Sequence, residues 1–247
     1  MNESLCRIHL HETESTNAYA KSVDSNALVT LITSDYQTSG RGQRGNSWES
    51  ARGENLLLSF VVKPVNVPVS QQFMLCELIS VCLCDVLSRY VPEVCIKWPN
   101  DIYYRDKKLC GILIEHDIEG AHLLRTIIGV GLNVNQSHFV SDAPNPVSLF
   151  QVTGNEIDRE VLLDAIVSHF MELYHQCTLL SPSLNRVWLH QRYLSLLYRR
   201  DVAAMYRDAG GVFAATLCDV ALDGTLVLVD LQEQQRRYLF KEVAYVI

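Results

Sequence analysis

Along this chain the apolar residues repeat with two different periods, and the changes between them mark out alternating strands and helices. Residues 5–10 (LCRIHL) alternate apolar with polar, as a half-buried strand does. Glu14-Ser15-Thr16-Asn17 then offers helix-capping side chains ahead of AYAKSV, which predicts a short helix. Residues 27–33 (ALVTLIT) are β-branched and apolar and read as a strand. No period survives from Ser34 to Glu54, a stretch rich in Gly, Arg, Ser and Asn, so a long loop is predicted there. Loops of that length inside a compact domain are usually functional or disordered.

Asn55–Lys63 (NLLLSFVVK) reads as a buried strand, and Ser70–Tyr90 has helical apolar spacing. Strands are predicted at 94–98, 101–104, 109–116 and 122–130, with Arg105-Asp106-Lys107 as a tight turn between the second and third. Asp158–Leu180 and Ser183–Leu197 read as helices, the first apolar at Leu162, Ile166, Phe170 and Leu173. Past residue 197 the pattern shortens to strands near 201–207, 212–220, 224–230 and 236–246, with Asp223-Gly224 as a hairpin signal. The prediction is an α/β domain over 1–197 followed by a small all-β unit over 198–247, with no internal repeat.

Composition narrows the classes. Hydrophobic residues make up 48% and charged residues 20%, an ordinary globular balance. A net charge of −7 gives no electrostatic footprint for general nucleic-acid binding. The opening MNESLCRIHLHETEST lacks the apolar core of a signal peptide, and no stretch is expected to approach the ~18 apolar residues a membrane helix requires. The eight cysteines show neither CxxC pairs nor zinc-ligand spacing, and most sit in apolar runs as small hydrophobes. A cytoplasmic protein with reduced thiols is the economical expectation.

Gly40-Arg41-Gly42-Gln43-Arg44-Gly45 matches G-x-G-x-x-G, but no helix opens at the glycines and no acid follows about 20 residues on, so a dinucleotide fold is rejected. Two readings then stand level. Arg41 and Arg44 could close over a phosphate with Trp48 as a stacking face, or the loop is solvated and the tryptophan belongs to the core. Lys97-Trp98-Pro99-Asn100-Asp101 gathers a cation, an aromatic, an amide and a carboxylate at a strand junction; by itself it reads better as turn formers with a surface lysine. Lys108 stands at the edge of an apolar run, before Gly111. Gly129-Val130-Gly131-Leu132-Asn133-Val134-Asn135 carries glycines that mark either close approach or a simple bulge. His9 and His11 share one strand face and, without further ligands, are read as structural.

Taken in order, these segments resemble the biotin protein ligase family. The resemblance rests on Glu14-Ser15-Thr16-Asn17, Tyr36-Gln37 with Gly40-Arg41-Gly42, Trp48, KWPNDIY at 97–103, KLCGIL at 108–113 and GVGLNVN at 129–135. It implies a mixed-sheet catalytic domain with helices on one face, and a C-terminal SH3-like β-barrel. It implies a ligase that joins biotin to ATP as biotinyl-adenylate and passes biotin to a lysine of biotin carboxyl carrier protein, the carrier of acetyl-CoA carboxylase or a related carboxylase.

Residue by residue, the resemblance makes Lys108, Arg41 and Asp101 catalytic: the cations meet carboxylate and phosphate, and Asp101 orients the incoming lysine or takes its proton. Ser15, Thr16, Asn17, Gln37, Gly40, Arg41 and Gly111 would bind biotin. Arg41, Gly42, Gln43, Arg44, Trp48, Asn100, Lys108 and Asn133 would bind ATP or the adenylate. At Gln43 many family members have a basic residue that helps retain the adenylate. Magnesium is expected with ATP, held by phosphates and waters, with no metal-ligand cluster and no prosthetic group. The catalytic blocks start close to residue 1, so an N-terminal DNA-binding domain is not expected, nor is a membrane or nucleic-acid partner; exposed sheet edges would allow a homodimer. The competing readings are a lipoate or octanoate ligase, against which GRGQRG and KWPND weigh, and a catalytically silent biotin-binding protein, against which Lys108, Arg41 and Asp101 weigh together.

Overall fold

The computed structural model describes residues 5–42, 45–64, 67–141, 143–180 and 182–247. Seven strands build the main sheet: β1 (Leu5–Leu10), β2 (Val29–Ser34), β3 (Leu56–Val62), β4 (Val94–Lys97), β5 (Asp101–Tyr104), β6 (Lys107–Glu119) and β7 (His122–Leu132). They stand in the order β1-β2-β3-β7-β6-β5-β4. Only β1 and β2 are parallel; the other neighbours are antiparallel. A parallel pair needs a crossover, and this one contains α1 (Thr16–Ala20). Ser15 occupies its N-cap but makes no capping bond with its side chain, contrary to the sequence expectation.

Strand alternation gives the sheet two different faces. Leu56, Leu58, Phe60, Ile112, Ile128, Val130 and Leu132 point into the principal core. Ile32, Val61 and Ile127 join Ala20 of α1 in a small second core on the other side. The same period of two places Ser59, Gly129 and Gly131 on the α1 side. Gly111 pairs with Gly131 across β6 and β7, so two glycines lie abreast and leave part of that face bare.

The principal core lies under three longer helices, α2 (Phe73–Leu87), α4 (Arg159–His175) and α5 (Pro182–Ser195), with α2 packed on both others. A 3-10 turn at Val69–Gln71 precedes α2, and a π-helical turn at Gln176–Leu180 extends α4. The expectation about apolar stretches is corrected here: Val69–Leu87 is long and apolar enough to cross a membrane by length and composition. In this fold 67% of its most apolar window is buried, as suits the central helix of a core. Cys76, Cys82 and Cys84 on α2 are free and buried, and burial raises each thiol's pKa. A short helix the periodicity missed, α3 (Leu149–Thr153), has a Ser148–Gln151 capping box and ends at Gly154 with φ 72°. Five residues are too few to show a helical repeat, so only the capping box could have revealed it.

Asp85 of α2 ties the three helices together. Its carboxylate meets His169 Nε2 at 3.3 Å and Arg192 Nη2 at 2.5 Å. The hydrogen bond to Asp85 raises the His169 pKa despite burial. Burial of Asp85 would raise its pKa, but His169 and Arg192 outweigh it and hold it low. A raised histidine stabilises fully below its unfolded pKa and loses that contribution as pH rises through its folded one. A depressed carboxylate stabilises above its unfolded pKa and loses that contribution as pH falls through its folded one. The cluster is therefore strongest in mildly acidic solution. We expect His169→Gln to cost about 0.5–1 kcal/mol near pH ~5.5 and clearly less near pH ~8.5. Urea melts at the two pH values check this; an equal cost at both would reject it.

Residues after α5 form an antiparallel sheet of β8 (Ala203–Asp208), β9 (Gly211–Val220), β10 (Leu226–Asp230), β11 (Gln235–Tyr238) and β12 (Ala244–Tyr245), ordered β11-β10-β9-β8-β12. The single strand expected over 236–246 is two, because the chain turns between them, with Lys241 at φ 74°. Tyr206, Leu217, Leu226 and Val243 belong to the same continuous core as α2 and α5. Trp98 Nε1 donates to the Gly224 carbonyl at 2.9 Å, and its ring meets Phe240 at 5.8 Å. The small sheet is thereby fixed against the end of the main sheet where β4 turns into β5.

Candidate active site

A cleft of about 760 Å³ opens on the α1 side of the main sheet. Ser15, Thr16, Asn17, Gln37, Arg41, Gly42, Trp48, Asn100, Asp101, Lys108, Gly111 and Asn133 all border it. Gly40 lies behind the wall: a Cβ there would come 2.5 Å from the Trp48 carbonyl oxygen, so the loop closes on itself only with glycine at this point. Gln43 and Arg44 lie outside the described residues.

One end of the cleft is neutral and hydrogen-bonded. Gln37 Oε1 accepts from the Thr16 backbone N–H at 2.8 Å and lies 3.1 Å from its hydroxyl. That fixes the amide's orientation and leaves the Gln37 Nε2 donor on the other side. Ser59 donates to Asn17 Oδ1 at 2.7 Å and sits 2.8 Å from Thr16 Oγ1. Asn17 Nδ2 donates to the Leu113 carbonyl at 3.2 Å and to Glu115 at 2.9 Å. The Asn17 amide is thus engaged within the protein at both ends, so it positions its neighbours. Ser59 is a contributor the sequence reading missed. Its signal was a lone hydroxyl inside the apolar run LLLSFVV.

The other end is charged. Lys108 Nζ pairs with Asp101 Oδ1 at 2.8 Å and stands 5.7 Å from the Trp48 ring centre. Lys108 reaches this face through a bulge. Ile102 pairs with Cys110 but Tyr103 pairs with Lys108, so Leu109 is an extra residue that reverses the alternation. Cys110 and Leu109 both enter the core, and Lys108 turns to the cleft. Lys97 behaves differently: its Nζ lies 3.1 Å from Tyr103 Oη and 5.5 Å from the Tyr245 ring centre, half-buried and outside the cleft wall. Burial lowers its pKa. The surface-lysine reading of Lys97 is therefore corrected.

Between the two ends lies the glycine floor. The Trp48 indole rests on it, since a Cβ at Gly131 would lie 2.5 Å from Trp48 Cε2 and one at Gly111 2.7 Å from its Cζ3. Trp48 is thus a cleft residue, which settles one alternative the sequence left open. Its Nε1 and the Asn133 Oδ1 are buried with no hydrogen-bond partner, while Asn133 Nδ2 donates to the Val147 carbonyl at 3.1 Å. Asn100 Nδ2 donates to the Ile112 carbonyl at 3.2 Å. A buried donor and a buried acceptor without partners are costly unless a ligand completes them.

The segment carrying Trp48 is clasped to the chain after β7. Glu49 accepts from the N–H groups of Val140 at 2.9 Å and Ser141 at 2.8 Å, and Gln136 bridges Glu49, Ala51 and Asn55. Burial would raise the Glu49 pKa, but the bonds from Ser141, Val140 and Gln136 hold it below the ordinary carboxylate value. Phe240 and Lys241 of the small sheet also border the cleft, and nothing in the sequence pattern announced them. Outside the cleft, His9 and His11 meet Asp35, three potential metal ligands within 4.8 Å of one another, where the sequence had promised no such cluster.

Known proteins resemble this chain in sequence and in fold. The model of the biotin/lipoate A/B protein ligase family matches residues 10–133. The bifunctional ligase/repressor BirA of Bacillus subtilis is 34% identical over 151 residues, 59% of this chain and 46% of that protein. The chain thus matches about half the length of such curated relatives. A biotin--[acetyl-CoA-carboxylase] ligase of Paracoccus denitrificans is 29% identical over 169 residues, covering 65% of this chain and 70% of its own length. Among solved structures, a biotin protein ligase from Aquifex aeolicus in complex with biotin and ATP superposes with a TM-score of 0.80 at 22% identity over 97% of both chains. That likeness concerns the fold.

Proposed function

Because the chain belongs to the biotin/lipoate A/B protein ligase family, we propose that it activates biotin with ATP and transfers it to a lysine of a biotin carboxyl carrier protein. The observation that carries this reading is the two-ended cleft. Thr16 and Gln37, with Ser59 bonded behind Thr16, supply neutral donors and acceptors suited to a ureido head. Lys108 supplies a fixed cation at the far end. Two residues of strand, Gly129 to Gly131, span about 7 Å between the regions of Asn17 and Trp48, the reach of a short acyl chain.

The chemistry follows from that layout. A carboxylate oxygen of biotin attacks the α-phosphorus of ATP; the new bond is an acyl-phosphate anhydride and pyrophosphate leaves. Negative charge builds on the phosphoryl oxygens and the leaving pyrophosphate, and Lys108 with Arg41 at the mouth would answer it. The carrier lysine then attacks the acyl carbon, AMP leaves, and Asp101 stands where it can take the amine's proton. The unpartnered Asn133 Oδ1 suits an amino group such as that on adenine, and Trp48 suits stacking beside it. Asp101 is the sole carboxylate among the described residues bordering the cleft, and Lys108 occupies it. That fits magnesium carried by phosphates and waters, where it neutralises phosphate charge.

The family description names both biotin and lipoate, so the decisive experiment offers a choice. The protein is incubated with ATP, magnesium, a biotin carrier domain, a lipoyl carrier domain, and biotin or lipoate, and both carriers are weighed by mass spectrometry. A mass gain of one biotinyl group, biotin less water, on the biotin carrier alone is expected. A lipoyl gain would transfer the assignment to lipoate. No gain on either carrier, from folded protein, would favour the silent binding protein.

A further inference from the structure

His9 and His11 play no part in the cleft, yet they form the most complete set of metal-ligand side chains among the described residues. His9 is exposed on β1, the strand at the sheet edge, and His11 is exposed one residue past its end. Asp35, directly after β2, places Oδ2 3.4 Å from His9 Nε2 and 3.3 Å from His11 Nδ1. A tetrahedral ion holding its ligands at 2.0–2.1 Å spaces them about 3.3–3.4 Å apart, so both edges from Asp35 already have the required length. The remaining edge joins the two imidazoles, whose ligand atoms lie within 4.8 Å. The His11 side chain is 93% exposed and can rotate to close it.

The support behind the ligands points the same way. His9 Nδ1 lies 3.1 Å from Thr33 Oγ1, and Thr33 is its register partner on β2. In the tautomer that donates Nδ1–H to Thr33, the Nε2 lone pair faces Asp35, the orientation that an outer hydrogen bond gives a metal-bound histidine. Neighbouring arginines have other partners: Arg7 pairs with Asp164 at 2.7 Å, Arg52 with Glu12, and Arg159 donates to the Asn55 carbonyl at 3.2 Å.

We propose that His9, His11 and Asp35 bind a divalent transition-metal ion of the zinc class, with at least one coordination position left to water. Two imidazoles and one carboxylate select such ions over magnesium or calcium, which prefer all-oxygen sites. The ion joins the ends of β1 and β2, where Asp35 N–H already bonds the Leu10 carbonyl at 3.0 Å. Those ends lead within a few residues to Ser15, Thr16 and Gln37, so the ion fastens the base of the neutral end of the cleft.

The test uses the full chain, freed of metal with chelator and kept without nucleotide. Equilibrium dialysis against zinc gives stoichiometry and affinity, and cobalt in its place gives visible d–d bands that report ligand type. Wild type is expected to bind one ion per chain and to melt at a higher temperature with zinc than without. His9→Ala, His11→Ala and Asp35→Asn should each weaken binding at least tenfold and remove the zinc-dependent rise, while Thr33→Val should weaken it about tenfold. Metal-free melts show whether each variant is folded, and exposed His11→Ala is the safest of them. Undiminished binding in His11→Ala and Asp35→Asn would overturn the proposal, as would sulfur-to-cobalt charge-transfer bands or no binding by wild type.

Discussion

Lys108→Ala should slow adenylate formation by about 10²–10³-fold, the typical loss when one preorganised charge-stabilising group is removed from a transition state. The side chain has no other evident task. Its amine ends in the cleft against Asp101, with both side chains about one-third exposed at 30% and 29%. An ion pair so open to water contributes little to stability, on the order of 0–1 kcal/mol. The melting temperature should therefore hardly move while turnover collapses. Pyrophosphate exchange into ATP, dependent on biotin, reads the first step alone. A loss below about tenfold would show that Lys108 is not the cation at the reacting phosphate, and Arg41 would inherit the role.

Asp101→Asn separates the two steps. It leaves Lys108 in place without its counter-charge, so exchange should persist while transfer to the carrier lysine falls. The pair is the part of the site most dependent on a backbone irregularity. Read with strict alternation, Lys108 shares a face with Cys110 and Ile112, which are buried in the principal core. The bulge at Leu109 reverses that, and no residue type in KKLCGIL announces a bulge. The lysine was singled out because of where it stands in an ordered set of segments, and its direction became clear only from the strand register.

Other features follow a similar division. The strands were legible because their apolar residues are continuous or alternate, and the floor of the cleft could be anticipated because glycines interrupt an apolar strand. Ser59 was hidden because one hydroxyl in a buried strand is usually a satisfied core residue. Phe240 and Lys241 were hidden because they reach the cleft from a turn far along the chain, fixed by Trp98 and Gly224. His9 and His11 were visible as a pair, but Asp35 stands just past the neighbouring strand, 24 residues away from His11. Sequence carries local period well. It carries the meeting of distant side chains only where an order of motifs stands in for the fold.

Gly129→Ala should be the most damaging single methyl in the cleft. A Cβ at Gly129 would lie 2.2 Å from Asn17 Oδ1 and 2.8 Å from its Cγ, an overlap that something must relieve. Asn17 cannot retreat freely, because Ser59, Leu113 and Glu115 hold its amide on both sides. Overpacking of this kind costs about 1–3 kcal/mol. Displacing Asn17 also unseats Ser59 and Thr16, so the KM for biotin should rise by roughly 10–100-fold, equivalent to about 1.4–2.7 kcal/mol. Gly131→Ala provides the contrast. Its methyl would meet the Trp48 ring at 2.5 Å, so the clash falls on a side chain bordering the cleft and away from the Asn17 network. Gly131→Ala should therefore spare the melting temperature and raise the KM for ATP more than that for biotin. Steady-state kinetics with each substrate varied separately, alongside thermal melts, distinguish the two. Asn17→Ser in the Gly129→Ala background removes the clashing amide and should restore part of the lost stability. If both glycine variants raise the same KM to the same extent, the two-ended reading of the cleft fails.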